Sequence, residues 1–580
     1  MSNGNSYDRL PLVEALLRYE GQGHVSMHVP GHKDGAAYVR AAEREADSER
    51  AELYRRYAAV LRQDVTEVDG TDDLHQATGP IREAQELAAA CFGAEATYFL
   101  VGGSTAGNVA ALLTCCSQPG DIVLVQRNVH KSIINGLKLA GARAVFVSPR
   151  QDRASGLLTA PSVETVEAGL VQYPQAKAVF LCSPNYYGLG VDIQAMAEAV
   201  HRHGVPLFID EAHGAHYGLH PDLPQSALQA GADLVVQSTH KMLLGMTMSA
   251  MLHIQGPRIN RDRLQRMLAM VQSSSPSYPL MASLDMSRHW VQTQGDDAFT
   301  MGLAAVSTVR KLLHALKSFD VLDMSRDSSI AYESQDPFKL VIRDVTGQMT
   351  GYELLNQLTL YGVVAEMADI QYVVLLFTLA NSQDDAEKIV LALRALDNHL
   401  QNNSCMKDVI TAQGHTQEQA QIKAQEHLPC AERKYNVQNS QIEAEISDER
   451  VKQSDHLADP IKVMSESMSG SGSTTSDYRP LIEMNHYNQG VSEPVSFSIF
   501  EEDKPSHKVD LEQSIGKQSA ESVIPYPPGI PLIYAGERIT KAHIDELRML
   551  AHAGAKCQDV SDPQLRSLIV YEDVSDENSD

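Results

Sequence analysis

Between about Glu95 and Met251, short continuous apolar runs alternate with stretches of helical period. The runs Thr97–Val101, Ile122–Val125, Ala144–Val147, Ala178–Cys182, Pro206–Asp210 and Leu234–Gln237 predict strands. Ala106–Cys115, His130–Leu139 and Ile193–Arg202 predict the helices between them. Strands that are apolar throughout need cover on both faces. The pattern therefore predicts an α/β domain built on a mostly parallel sheet. In such sheets ligands sit beyond the carboxyl ends of the strands.

A second region, Asp336–Leu396, reads as a small α+β unit with strands at Lys339–Ile342 and Val373–Leu376. Ser382-x-x-Asp385 resembles a capping box that opens a helix over Asp384–Leu396. From about Asn402 to Glu493 the texture turns to Gln, Ser, Glu, Asn and His, which buries too little apolar area to offset ordering entropy. A long flexible insertion is expected there. Order resumes near Ser496–Phe500, continues through an extended Ile524–Pro531, and ends in a helix over Lys541–Ala553 with Ile544, Leu547 and Ala551 on one face. The expected division is an N-terminal segment 1–55, a major domain 56–310, a small domain 311–400, an insertion 401–494 and a C-terminal domain 495–580 with an acidic tail.

Composition narrows the function classes. No stretch of the 580 residues approaches the roughly 18 apolar residues of a membrane helix, and the polar N-terminus carries no signal-like apolar region. Seven cysteines without a Cys-x-x-Cys spacing suit reduced thiols in the cytoplasm, with Cys115-Cys116 in or near the core. A net charge of −26 argues against nucleic acid and anionic membranes as partners. The same charge would attract cationic small molecules, although solubility alone also accounts for it.

Three strand ends carry candidate chemistry. Gly102-Gly103-Ser104-Thr105 lies between a strand and a helix, where backbone N–H groups and two hydroxyls suit a phosphate. Asp210, closing Phe208-Ile-Asp210, is placed to pair with a protonated pyridine nitrogen. A helix cap or a metal ligand is the alternative, and His213 and His216 keep the metal reading open. Asp210-Glu-Ala-His213 also resembles a helicase motif, but no phosphate-binding Gly-x-x-x-x-Gly-Lys-Ser/Thr precedes it. Lys241, in Ser238-Thr-His-Lys241 directly after a buried strand, is the residue type that forms a Schiff base with an aldehyde. A solvated loop lysine is the bland reading. Phosphate turn, carboxylate and lysine in this order together point to pyridoxal 5′-phosphate (PLP), with no metal.

With these residues in view, the chain resembles the Orn/Lys/Arg decarboxylase family of fold-type I PLP enzymes, in its short form without a wing domain. The resemblance runs over about His24–Arg288, Asp336–Leu396 and Val509–Gln558. His28-Val-Pro-Gly-His-Lys33, Thr66-Glu67, Asp72-Asp-Leu-His75, Gly79-Pro-Ile81 and Arg127-Asn-Val-His-Lys-Ser132 carry it. So do Asp210-Glu-Ala-His-Gly-Ala-His216, Ser238–Lys241, Ser275-Pro-Ser-Tyr278 and Tyr526-Pro-Pro-Gly-Ile-Pro531. It implies an aspartate aminotransferase-like large domain with smaller α+β domains, in which Lys241 binds the cofactor aldehyde and Asp210 faces the ring nitrogen. His130 would stack on the ring, and Ser104, Thr105, Ser238 and His240 would hold the phosphate. A hydroxyl of the Ser273–Ser275 run, Ser275 in particular, would reach the phosphate from the partner in a homodimer. His213 would lie near the ring, or else serve as a hydrogen-bonded scaffold residue.

The implied reaction is decarboxylation of a basic amino acid to a polyamine-type amine and CO2. Arginine, giving agmatine, is favoured, with lysine and ornithine open. Glu366 and Asp369 are candidates for the substrate's distal cation, against the plainer reading of surface carboxylates. Gly102 where the family often has Asn, and Met248 where Gln is common, depart from the family pattern. Another reaction on the same cofactor scaffold, an aminotransferase or a lyase, is the nearest alternative; a non-catalytic binding protein is the more distant one. Ser183-Pro-Asn-Tyr-Tyr-Gly, without an Asn-Pro pair, weighs against an aminotransferase.

Overall fold

The computed structural model describes residues 8–324, 331–413, 490–499, 504–526 and 529–572, with side chains in the helix that ends at Gln413 described up to residue 402. An eight-stranded sheet forms the centre. Its spatial order is Ala96–Leu100, Ala250–Ile254, Leu234–Gln237, Leu207–Asp210, Val179–Cys182, Ile122–Gln126, Arg143–Val147 and Val495–Ser496. The five strands from Leu234–Gln237 to Arg143–Val147 run parallel, as the continuous apolar runs predict. Ala250–Ile254, an apolar run beyond the predicted strands, inserts antiparallel between Ala96–Leu100 and Leu234–Gln237.

Alternation along each strand supplies two cores. Leu124, Leu181, Ile209 and Val235 face one side, under the helices Pro80–Phe92, Val163–Gln172, Ile193–Arg202 and Tyr278–Gln294. Val123, Val125, Phe180, Phe208 and Val236 face the other, under Gly103–Cys115, Lys131–Ala140 and Arg261–Val271. Both faces are therefore dry, and chemistry is left to the polar ends of the strands.

The small domain is a four-stranded antiparallel sheet, ordered Met367–Ala368, Val373–Leu376, Lys339–Asp344, Phe319–Val321. The expected capping box is present: Asp385 N–H donates to Ser382 Oγ and Ser382 N–H to Asp385 Oδ2. The helix it opens, Gln383–Gln413, continues well past the expected end at Leu396. Residues 414–489, most of the expected insertion, lie outside the described residues. Sheet pairing resumes earlier than the expected boundary at 495, because Ser148 N–H donates to Gly490 O and Ser492 N–H to Phe146 O.

The C-terminal unit pairs Ser506–Asp510 with Ser567–Tyr571 and packs the helix Lys541–His552 on them. Ile544 and Leu547 are buried as expected; Ala551 is exposed and Leu550 takes its place in the core. Of the vicinal pair, Cys116 is buried and Cys115 half-buried, both as free thiols. Among the described residues no helix is long and apolar enough to cross a membrane.

Candidate active site

Register brings the predicted strand ends to one rim. Leu100 lies opposite Ala250, and Gln237 opposite Met251, so the turn after Leu100 and the turn after Gln237 leave the sheet at one level. Asp210 pairs in register with Val236 and with Cys182 across the parallel ladder. Residues more than a hundred positions apart in sequence thus share one edge.

Asp210 is buried and well partnered. Its Oδ2 accepts from Asn108 Nδ2 at 2.9 Å and its Oδ1 from Ala212 N–H at 3.1 Å. The Asn108 amide also donates to Ser132 Oγ (3.0 Å), which meets His130 Nδ1 at 2.8 Å. Asp210, Asn108, Ser132 and His130 form one chain. Burial pushes His130 down to about 4, against the pull of Asp210, so its imidazole is neutral near pH 7. Gly529 of the C-terminal unit, at φ +88°, lies against this ring; a Cβ there would come within 3.3 Å of it. Lys131 N–H donates to Gly529 O at 3.2 Å.

Lys241 sits in the short turn after Gln237. Its Nζ lies 3.1 Å from His213 Nε2 and 5.7 Å from the centre of the Tyr186 ring. Burial lowers the Lys241 pKa from its usual value, with Asp210 opposing. His213 faces a second amine: Lys339 Nζ lies 2.9 Å from its Nδ1 and donates to Tyr186 O at 2.9 Å. Burial, reinforced by both amines, holds the His213 pKa well below that of a free imidazole. His213 is thus hydrogen-bonded on both ring nitrogens, to Lys241 and to Lys339, as the scaffold reading expects. His216, one of the two histidines of the metal alternative, has its Nε2 engaged by Asp336 Oδ1 at 3.1 Å.

The residues expected to hold a phosphate are arranged in a way that suits a charged ligand. The helix Gly103–Cys115 starts without a side-chain cap, from Gly103 at φ +70°. Ser104 is half-buried and Thr105 exposed at this start. Ser238 Oγ is fully buried and has no hydrogen-bond partner among the described residues, an arrangement that a ligand oxygen would complete. His240 Nδ1 is held by Ser249 O at 2.9 Å, which leaves Nε2 for other use. Lysine, carboxylate and orphaned hydroxyl together fit PLP.

Ser273, Ser274 and Ser275 are exposed. The adjacent Gln272 accepts from Val101 N–H at 2.8 Å, which fixes the serine run beside the strand end leading into the phosphate turn of its own chain. The distal-cation candidates separate. Asp369 is engaged by the Tyr187 hydroxyl and by two backbone N–H groups at 2.7 Å, whereas Glu366 is exposed and within electrostatic reach of Lys241, Lys339 and His240.

Four residues that the structure brings to the site were given no role in the sequence reading: Asn108, Ser132, Tyr186 and Lys339. Asn108 and Lys339 carried a usable signal, each a polar group set in an otherwise apolar buried element.

Comparison with known proteins supplies the remaining findings. The family model described as "Orn/Lys/Arg decarboxylase, major domain" matches residues 10–385, and its C-terminal domain counterpart matches residues 500–557. An arginine decarboxylase of Bacillus subtilis is 33% identical over 389 residues, covering 67% of this chain and 77% of its own. An arginine decarboxylase of Halalkalibacterium halodurans is 27% identical over 569 residues, covering 98% of each. Among solved structures, lysine decarboxylase A from Pseudomonas aeruginosa superposes with a TM-score of 0.69 at 21% identity, over 98% of this chain and 81% of that one, a likeness of fold.

Proposed function

The chain belongs to the Orn/Lys/Arg decarboxylase family, and we propose that it decarboxylates arginine to agmatine and CO2. It is an amino acid decarboxylase, and its cofactor is PLP. When bound, PLP supplies the electron sink that makes loss of the α-carboxylate feasible.

The chain's own residues prepare that chemistry. Lys241 offers an amine whose neutral form burial favours. Asp210 presents a carboxylate fixed by Asn108 and Ala212, which suits a protonated ring nitrogen. His130, neutral and backed by Gly529, offers a flat face and excludes water from one side of the site. Ser104, Thr105, Ser238 and His240 are the phosphate group's donors in this reading. A hydroxyl of Ser273–Ser275, Ser275 foremost, joins them from a partner subunit in a homodimer. The observation that carries the reading is the meeting of Lys241, Asp210 and an orphaned Ser238 hydroxyl at one strand-end rim.

Arginine is favoured because the two relatives described above are arginine decarboxylases, and because Glu366 offers an exposed carboxylate near Lys241 for a distal guanidinium. The five described cysteines are free thiols, in keeping with a cytoplasmic enzyme of polyamine-type amine formation. The test is CO2 release from arginine, lysine and ornithine. Arginine should exceed the others by about 100-fold in kcat/KM, within the roughly 10- to 200-fold that a misfit of one methylene-sized group in a fitted pocket costs. A preference for lysine or ornithine would overturn the assignment of arginine while leaving the decarboxylase reading intact.

A further inference from the structure

Lys339 opens a strand of the small domain, yet its side chain is fully buried and its amine reaches into the site of the large domain. Its Nζ donates to Tyr186 O and meets His213 Nδ1, while Lys241 Nζ meets His213 Nε2. Hydrogen-bond valence makes this arrangement informative. A neutral imidazole has one N–H and one lone pair, and an ammonium can only donate. Two ammonium groups cannot both be satisfied by one neutral imidazole, because its N–H would point at a group with no lone pair. One of the two lysines must therefore be a free amine.

We propose that Lys339 is a positioning residue that, through His213, holds the proton Lys241 must lack in order to attack a carbonyl, and returns it when Lys241 is released. With Lys241 free of the cofactor, the Lys339 ammonium donates to His213 Nδ1, and His213 Nε2–H donates to the lone pair of Lys241. Lys339 suits the charged role because it has a second acceptor in Tyr186 O; burial lowers its pKa to about 8, with Asp336 opposing, which leaves the ammonium predominant near pH 7 and the proton transferable. In the return step an N–H bond of Lys339 breaks as His213 Nδ1–H forms, and His213 Nε2–H breaks as a new N–H bond of Lys241 forms. The imidazole ends neutral in its other tautomer, and the net change is one proton moved from Lys339 to Lys241. No other reactant is needed.

Four neighbouring groups bear on the balance. Asp210, Cys182 and Glu366 favour a charged Lys241, and Asp336, Glu366 and Cys182 a charged Lys339, so no one of them alone decides which amine holds the proton. The imidazole between them makes the two states exchangeable rather than separate.

The role of Lys339 rests on Lys241 being the cofactor lysine, and each is tested by its own experiment. The full-length chain, freed of cofactor, is treated briefly with acetic anhydride across a pH series, and acetylation of Lys241 is read by peptide mass spectrometry. Wild type should reach half-maximal labelling well below the free-lysine value of about 10.4. Lys339→Met should move that midpoint up by about one pH unit, a roughly tenfold slower labelling at pH 8, because Lys241 becomes the only holder of the proton. Lys339→Arg, which keeps a charge that cannot be given up, should hold the midpoint at the wild-type value. A midpoint unchanged in Lys339→Met, or moved equally by both variants, overturns the proposal. If neither variant folds, a wild-type midpoint at or above about 10.4 still overturns it, since both amines would then be charged. Borohydride trapping of bound PLP on the wild-type chain reports independently which lysine carries the cofactor.

Discussion

Two hydrogen-bonded chains flank the site, and they are built on opposite plans. Asp210, Asn108, Ser132 and His130 belong to the large domain, start from a carboxylate, and give the Asn108 amide an acceptor on each side. Lys241, His213 and Lys339 cross from the large to the small domain, start and end on amines, and leave one proton without a fixed home. A chain anchored on a fixed charge holds geometry, whereas a chain between two like bases stores a movable proton. The first suits orientation of a ring nitrogen. The second suits an amine that must be neutral at one moment and charged at another.

The largest effect expected from breaking either chain is at Lys241. Lys241→Ala should lower decarboxylation by about 10,000-fold or more, since the fully buried Lys339 is tied to Tyr186 O and cannot replace the nucleophile. The protein should still fold, because the Lys241 amine contacts Tyr186 and His213 rather than the apolar core. Turnover near the wild-type rate, measured as CO2 release, would remove Lys241 from the chemistry. On the carboxylate side, Asp210→Asn should cost about 100- to 1,000-fold, the range for loss of one preorganised electrostatic partner. Asn108→Ala keeps the charge and removes one of the two donors that aim it. It should cost about tenfold, the equivalent of one hydrogen bond of roughly 1.4 kcal/mol. Equal losses in the two variants would mean that the aim of Asp210 matters as much as its charge.

How much of this was legible in the sequence follows the same division. Asp210 and Lys241 end continuous apolar strands or follow them directly, and a charged residue there stands out against its neighbours. Asn108 hides in the middle of an apolar helix, Ala106–Cys115, where a single amide looks incidental until Asp210 is seen beside it. Lys339 opens Lys339–Ile342 and passed as a strand terminus, although the logic that singled out Lys241 applies to it equally. Its significance arises from packing of the small domain on the large one, with a sequence separation of 126 residues to His213 that no local pattern encodes. The antiparallel Ala250–Ile254 was readable as an apolar run, but its direction depends on the Ser238–Ser249 connection, whose single helical turn, Thr239–Met242, is too short to cross the sheet face. Ala551 was misplaced because helical period alone fits both it and Leu550; the neighbouring core chose the larger side chain.

Besides Gly529, the carboxylate-anchored chain leans on the C-terminal unit through Arg127, and this contact gives the smallest of these effects. Arg127, three residues before His130, donates to both Glu537 oxygens (2.9 and 2.8 Å) and stacks at 3.9 Å on the Tyr534 ring. It also donates to the carbonyls of Pro531 and Leu532, so the turn that carries His130 is fastened to the C-terminal unit. Glu546 lies in the same unit, where burial pushes its carboxyl up to about 7 against the opposing charge of Arg127. A carboxyl whose folded pKa lies above its unfolded value of 4.5 binds more protons folded than unfolded between those limits. Its contribution to stability is therefore full below pH 4.5 and is lost as pH rises through about 7. Glu546→Gln, neutral at every pH, should match wild type near pH 4 and exceed it at pH 8. The gain should be on the order of 1 kcal/mol, discounted because the side chain is only partly buried. Urea unfolding of both proteins at pH 4, 6 and 8 reads the difference. A gap that stays constant across the three would show that the fastening of the His130 turn does not depend on the Glu546 proton.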